Sequence, residues 1–292
     1  MSDLSKAGAI RLRLPATSAN LGPGFDSVAI ALDFYLEIEA EPAAAFSIAA
    51  SGRDRERCSR LDNNLILELY KEVLRSAGKP EIPLAIRMAN GIPLAMGCGS
   101  SAAGRLAAIS MAVHFGGLGW TSDQILAKAC AIEGHPEVAR VEPPADWRAI
   151  VVLPADPLPT SQARAVLPGS YSRADTVANV QSASLLGLAF AFARGDLLRT
   201  AMSDRIHQPY RAQICPLLPR LLPLAGSKGV LGAALSGAGP AMLVITGSEA
   251  DVPEASATIR NAVSGLSEVE LLVCRFVSSG GREFFVQGWP AG

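Results

Sequence analysis

Long apolar runs, aromatic rings and charge of one sign are all scarce in this chain, and each scarcity removes a class of function. No uninterrupted apolar stretch in the 292 residues reaches the length of a membrane span, and the opening MSDLSKAGAI holds no apolar core of a secretory leader. The expectation is a cytoplasmic protein with no membrane partner. Lysine plus arginine (26) nearly cancel aspartate plus glutamate (27), and no basic block breaks the balance. The electrostatic footprint of a nucleic-acid binder is missing, and with aromatics at 5% there are few rings on which bases could stack. No nucleic-acid partner is expected. Cys58, Cys98, Cys130, Cys215 and Cys274 are odd in number, scattered and never in CxxC spacing, which argues against a disulfide framework and a zinc site alike. They read as reduced thiols, Cys98 as a small buried one. The common nucleotide fingerprints are absent too: there is no GxGxxG, and Ala103 and Gly104 stand where a Walker loop needs GK[ST].

What is present is globular composition, 49% hydrophobic and 18% charged, in a chain long enough for two ordinary domains. Residues 11–14 (RLRL) and 28–41 lean toward strand, the latter by alternation over FYLEIEA. Residues 64–77 place Ile66, Leu69, Tyr70, Val73 and Leu74 on one helical face and stop at Gly78. A strand is predicted at 83–88, and a helix from 121 to about 133 opens on a Thr121–Gln124 capping box. The second half reads as a buried strand at RAIVVLP, a helix at 175–194, strands at 229–235 and 241–246, a helix at 252–265, and strands at 268–277 and 283–287. Strands and helices alternating at this spacing suit an α+β sandwich.

Residues 93–103, PLAMGCGSSAA, carry the clearest chemistry. The first N–H groups of a helix have no intrahelical partner and sit at the positive end of its dipole, so they can surround an anion. Gly97 and Gly99 reach positive φ at little cost and leave room for phosphoryl oxygens beside the main chain. Ser100 and Ser101 supply hydroxyls that could cap the helix, bond phosphate or reach a magnesium ion. Residues 102–113 are apolar nearly all round, which predicts a buried helix.

PATSANLGPGFDS at 15–27, PLAMGCGSSAA at 93–103 and LSGAGPA at 235–241 together resemble the three motifs of the GHMP small-molecule kinases. With IEGHP at 132–136 and HQPYR at 207–211, the chain is most similar to the homoserine kinase branch of that family. The resemblance implies an α+β, two-domain GHMP kinase fold. An ATP-binding, ribosomal-protein-like α+β domain would span 1–145 and a ferredoxin-like α+β sandwich 146–292, with the active site between them. It also implies ATP and Mg2+ as cofactors, L-homoserine as the phosphoryl acceptor, O-phospho-L-homoserine as a product in threonine biosynthesis, and a homodimer.

Residue roles follow from the same resemblance. Pro93, Gly97, Cys98, Gly99, Ser100, Ser101 and Ala102 would line the nucleotide, and Asn64 would lie near the adenine, although an N-cap asparagine explains it equally well. Ser101 and Glu133 would hold the magnesium ion, which prefers few protein oxygens. Glu133, Ser101 and His135 form the implied catalytic set, with His135 equally explained as a helix-terminal histidine bonded to backbone. Asn20 and Asp26 would contact the amino acid, the alternative being an Asx turn in a glycine-rich loop. Arg211 resembles the arginine that clamps the substrate carboxylate, a task for planar bidentate donors, and Arg275 is a second candidate. Ser236, Gly237 and Gly239 would let the second half close over the first. His207 and His114 carry no clear signal, and no strong general base is visible. A kinase for another small hydroxyl metabolite, or a non-catalytic sensor on the same fold, is the alternative function.

One departure stands out. Members of the family continue EGHP with Asp-Asn, a helix start and a glycine-containing strand, whereas here Glu137 is followed at once by VARVEPPADW. Roughly a couple of dozen residues are wanting, judged from the length of a helix start plus a strand. A true deletion and a stretch left out of the numbering compete, and the second is the expectation.

Overall fold

The computed structural model describes residues 8–130, 137–266 and 268–277, and among them the chain forms two four-stranded sheets. The first half contributes β1 (Ile10–Asn20), β2 (Gly24–Pro42), β3 (Ser47–Gly52), α1 (Arg55–Cys58), α2 (Leu65–Ser76), β4 (Leu84–Asn90), α3 (Ser100–Gly116) and α4 (Ser122–Cys130). Its sheet runs β1-β2-β4-β3, with only β3 and β4 parallel. Alternation makes β1 a strand: Ile10, Leu12, Leu14 and Ala16 are buried, while Arg11 and Arg13 face outward and donate to Glu39 and Glu37 across β2. On α2, Ile66, Leu67, Tyr70, Val73 and Leu74 form the buried face, and the helix begins where the Asn64 side chain accepts from the Ile66 and Leu67 N–H groups. The capping box of α4 is present, with Thr121 N–H donating to Gln124 and Gln124 N–H to the Thr121 hydroxyl.

The second half contributes β5 (Arg148–Pro154), α5 (Thr160–Ala165), α6 (Arg173–Ala191), α7 (Leu198–Ala201), α8 (Gln208–Arg211), α9 (Leu218–Leu221), β6 (Val230–Leu235), β7 (Met242–Thr246), α10 (Val252–Ala262) and β8 (Val269–Arg275). The order β6-β7-β5-β8, antiparallel throughout, places the first strand of the half between its third and fourth, which is the ferredoxin-like arrangement. Alternation along β5 sends Ile150 and Val152 to a face covered by α9 and α10 through Leu218, Leu221, Ala255 and Ile259. Ala149, Val151 and Leu153 go to the other face, where Leu186, Phe190 and Leu198 join a single apolar cluster continuous with the core of the first sheet. Burial of this shared face holds the two halves together.

Several expectations shift by position. The first motif is mostly strand: β1 runs through PATSAN to Asn20, and β2 resumes at Gly24 after a three-residue turn. Strand β3 and the short helices α1, α5, α7, α8 and α9 are additions to the expected elements, because segments of four to six residues carry too little periodicity to read. The predicted strand at 283–287 and the end of the helix near Glu133 lie outside the described residues. The expectation of a skipped stretch after Glu137 is overturned. Glu137 and Val138 are neighbours in the full sequence, and residues 137–147 run as irregular chain directly into β5.

Candidate active site

The three motifs meet at the junction of the two sheets. Gly99, not Ser100, is the residue preceding α3; it takes φ 77° and offers no side-chain cap. Ser100 and Ser101 are therefore the first helical residues, and no partner for either hydroxyl occurs among the described residues. The first backbone bond of the helix is Ala103 N–H to Gly99 O, so the N–H groups of Ser100, Ser101 and Ala102 remain uncapped at the positive end of a 17-residue helix. Ser101 and Ala102 are exposed there, whereas Ala103, Gly104, Ala107 and Ala108 on the same helix are buried.

Backbone approach explains the glycines. A Cβ on Gly97 (φ 82°) would lie 2.1 Å from Ser236 O, and one on Gly99 2.0 Å from Thr17 Oγ1. The surrounding bonds join the same segments: Thr17 N–H donates to Cys98 O (3.0 Å), Ala241 N–H to Met96 O (3.1 Å), and Ser236 Oγ to Gly97 O (2.9 Å). Cys98 is buried in this junction, and burial pushes its thiol up to about 12, so it packs rather than reacts.

The first motif docks on the third. Gly237 N–H donates to Ala19 O, the Asn20 amide donates to Gly237 O at 2.9 Å, and its oxygen accepts from Asp26 N–H at 3.1 Å. Asn20 is thus a strut between the two sheets rather than part of a local Asx turn. Asp26 follows at φ 54° with an exposed side chain.

Beneath this turn lies Arg211, the largest fully buried side chain described. Its Nε donates to Ala163 O (3.1 Å), and its Nη1 meets His207 Nδ1 (3.0 Å) and Gly237 O (3.2 Å). No fully buried side-chain polar atom among the described residues lacks a partner, so Nη2, which has none, reaches accessible space. Burial lowers the Arg211 pKa, opposed by the charges of Cys215, Asp204 and Asp26. Sequence reasoning missed His207, whose ring joins Arg211 to Gly22 O; its four-residue spacing from Arg211 on one helical turn was the available signal.

The other candidates are placed less centrally. Asn64 spends its whole amide on the chain, capping α2 and donating to Cys58 O and Arg60 O. Arg275 is exposed on β8, the edge of the second sheet opposite β6, whose end leads to Gly237; it is not drawn to Arg211. Pro93 is buried in the turn before the glycines, and Gly239 N–H closes the Ser236 turn. Glu133 and His135 lie outside the described residues.

The N-terminal model of the GHMP kinases matches residues 64–151 and the C-terminal model residues 189–265. The homoserine kinase of Solibacter usitatus is 40% identical to this chain, covering 80% of it and 84% of the relative. The chain belongs to the GHMP kinase family. As a GHMP kinase it is an ATP-using small-molecule kinase. Its fold is shared by the crystal structure of the homoserine kinase of Cytophaga hutchinsonii, with TM-score 0.78 at 20% identity over 96% of this chain and 98% of that one. The L. major mevalonate kinase structure gives 0.65 at 13% identity over 92% and 97%, so the fold alone does not choose the acceptor. The Solibacter alignment has 255 positions yet spans 80% of a 292-residue chain, about 234 residues, which leaves about twenty positions of the relative with no counterpart in this GHMP kinase.

Proposed function

We propose that this GHMP kinase phosphorylates the side-chain hydroxyl of L-homoserine. The observation that carries the reading is Arg211, a cation held rigidly beneath the first motif with one guanidinium nitrogen unspent. An amino acid presents a carboxylate and an ammonium together, and Asp26, exposed on the turn above, offers the matching anion. Homology points the same way, through a homoserine kinase 40% identical over most of the chain. A sugar alcohol, which has no carboxylate, would leave Nη2 of the guanidinium without an anionic partner.

The nucleotide fits the start of α3. Three uncapped N–H groups and the two serine hydroxyls face the space where phosphates would lie, and the glycine turn brings main chain close without side chains in the way. Mg2+, when bound, neutralises phosphate charge during transfer. Ser101 Oγ is its described protein ligand in this reading, with Glu133 as the second by resemblance. The remaining work is positioning. Arg211 fixes the carboxylate, Asp26 the ammonium, and the Asn20 strut holds the turn that carries Asp26 against Gly237. His207 does not act as a base, since both its nitrogens are occupied by protein. A division near residue 145 into an ATP-binding half and a ferredoxin-like half with the active site between them, and a homodimer, belong to the same proposal.

The test is a coupled ADP-release assay with homoserine, mevalonate and sugar alcohols. Turnover of homoserine, with its KM raised at least about tenfold in Arg211→Ala and the KM for ATP unchanged, is the expected result. Equal turnover of homoserine by Arg211→Ala would remove the clamp. The shortfall of about twenty positions favours one second reading, a sensor that binds without catalysing. Calorimetry showing that ATP and homoserine bind while no ADP forms would select it.

A further inference from the structure

Building on the reading of Arg211 as the carboxylate clamp, we propose that His207 is a positioning residue for the amino-acid substrate. Its neutral ring sets the direction of the Arg211 guanidinium and ties it to the turn of the first motif. The side chain has 0% exposure, and its two nitrogens face opposite halves of the molecule. Nε2 is 2.8 Å from Gly22 O, and Nδ1 is 3.0 Å from Arg211 Nη1. A carbonyl oxygen only accepts and a guanidinium only donates, so one arrangement satisfies both: the hydrogen is on Nε2, and Nδ1 is bare. A second proton on Nδ1 would point at an arginine N–H and break the bond.

The ring is braced on every side. The Asp204 carboxylate accepts from the backbone N–H groups of Ile206 (3.0 Å), His207 (2.9 Å) and Gln208 (2.6 Å), which fixes the start of α8. Gln208 in turn accepts from Leu235 N–H at 2.7 Å, pinning α8 to β6. Phe25, within the first motif, stacks on the imidazole with centroids 5.2 Å apart. Gly22 itself sits where a Cβ would lie 2.2 Å from Met202 O, so the turn that receives the Nε2 bond cannot shift toward α7.

The guanidinium is therefore held by three acceptors from three segments, Ala163 O, His207 Nδ1 and Gly237 O, and only Nη2 is left to meet a ligand. Removing the imidazole deletes the one side-chain acceptor of the guanidinium and, with it, the tie through Gly22 to the turn bearing Asp26, leaving Gly237 O and the Asn20 strut as the other tie. Cation and anion of the substrate site would then be held to each other by one connection instead of two. Recognition of a small zwitterion depends on that separation, because both ends must be met at once.

Substitutions separate the two bonds. His207→Asn keeps an oxygen near the Nδ1 position for Arg211 but falls short of Gly22, whereas His207→Gln reaches Gly22 and offers Arg211 nothing at that position. The expected result is a homoserine KM raised roughly tenfold to a hundredfold in His207→Gln, the range for a bond to a charged group, and clearly less in His207→Asn. The KM for ATP stays unchanged in both, and His207→Gln adds no further loss in an Arg211→Ala background. A homoserine KM unaltered in His207→Gln, equal losses in the two variants, or losses that add to Arg211→Ala would overturn the positioning role. Nitrogen-15 NMR of the wild-type ring gives an independent reading: the Nε2–H tautomer is expected, and an Nδ1–H or doubly protonated ring at neutral pH would overturn the tie to Arg211. Absence of homoserine turnover by wild type would instead sink the functional reading, and the tautomer would still decide the placement of His207.

Discussion

Gly97 and Ser236 come from opposite halves of the chain, and their backbones touch so closely that a Cβ on Gly97 would stand 2.1 Å from the Ser236 carbonyl oxygen. The glycine turn before α3 and the turn that follows β6 are thus one backbone unit, sealed by the Ser236 hydroxyl donating to Gly97 O at 2.9 Å. Gly97→Ala meets both a left-handed φ, costing about 1–2 kcal/mol, and a backbone clash that no side-chain rotation relieves. Thermal unfolding should show a loss of at least about 2 kcal/mol, with the KM for ATP raised in whatever protein remains folded. A variant as stable as wild type would show that the two turns separate freely.

Ser101 makes the opposite case. It is exposed, and its hydroxyl has no protein partner among the described residues, so Ser101→Ala should change stability by less than about 0.5 kcal/mol. Its effect belongs to catalysis: kcat/KM for magnesium-ATP should fall at least about tenfold. Steady-state kinetics over a magnesium titration check this, and unchanged kinetics would remove Ser101 from the metal site.

Asn64 separates cap from nucleotide contact. Asn64→Ala loses the bonds to Ile66 and Leu67 N–H and should cost about 1 kcal/mol, read from the shift in chemical denaturation midpoint. Asn64→Asp keeps a good cap. A raised KM for ATP in that variant would mark a contact with the base, whereas an unchanged one leaves Asn64 as the start of α2 alone.

Stability should also follow the state of His207. Burial lowers its pKa, and the Asp204 charge opposes this without cancelling it, so the unfolded chain binds the proton more readily than the folded one. Where the unfolded state holds more protons, stability rises with pH; the contribution is complete above the unfolded value of about 6.5 and is lost as pH falls below it. Denaturation of wild type between about pH 7.5 and pH 5 should therefore steepen relative to His207→Asn, which has no titrating ring there. Parallel curves for the two proteins would assign the acid sensitivity to other groups.

Much of this site was legible in the chain because its determinants are local. Glycines that need positive φ, a helix that begins after them, and alternation of the kind seen in Ile10, Leu12 and Leu14 are each written within a few neighbouring residues. Arg211 was found through the HQPYR segment, yet the four-residue spacing was the one local sign of His207, and it names no partner beyond Arg211. Its meaning lies in Gly22, 185 positions away. Asn64 shows the converse, a residue of open role in sequence whose amide the fold spends entirely on capping.

The sequence by itself determined the family, the two strand-and-helix halves and the glycine-rich turn at Gly97 to Ser101 that opens into a helix, since all of these rest on short-range backbone preferences and ordered motifs. Only the tertiary structure decided that Gly99 rather than Ser100 precedes the helix, that Asn20 is a strut, and that Arg211 keeps one nitrogen free while His207 aims it. The reason is physical: a buried polar group takes its role from the partners that desolvation obliges it to find, and those partners come from distant parts of the chain.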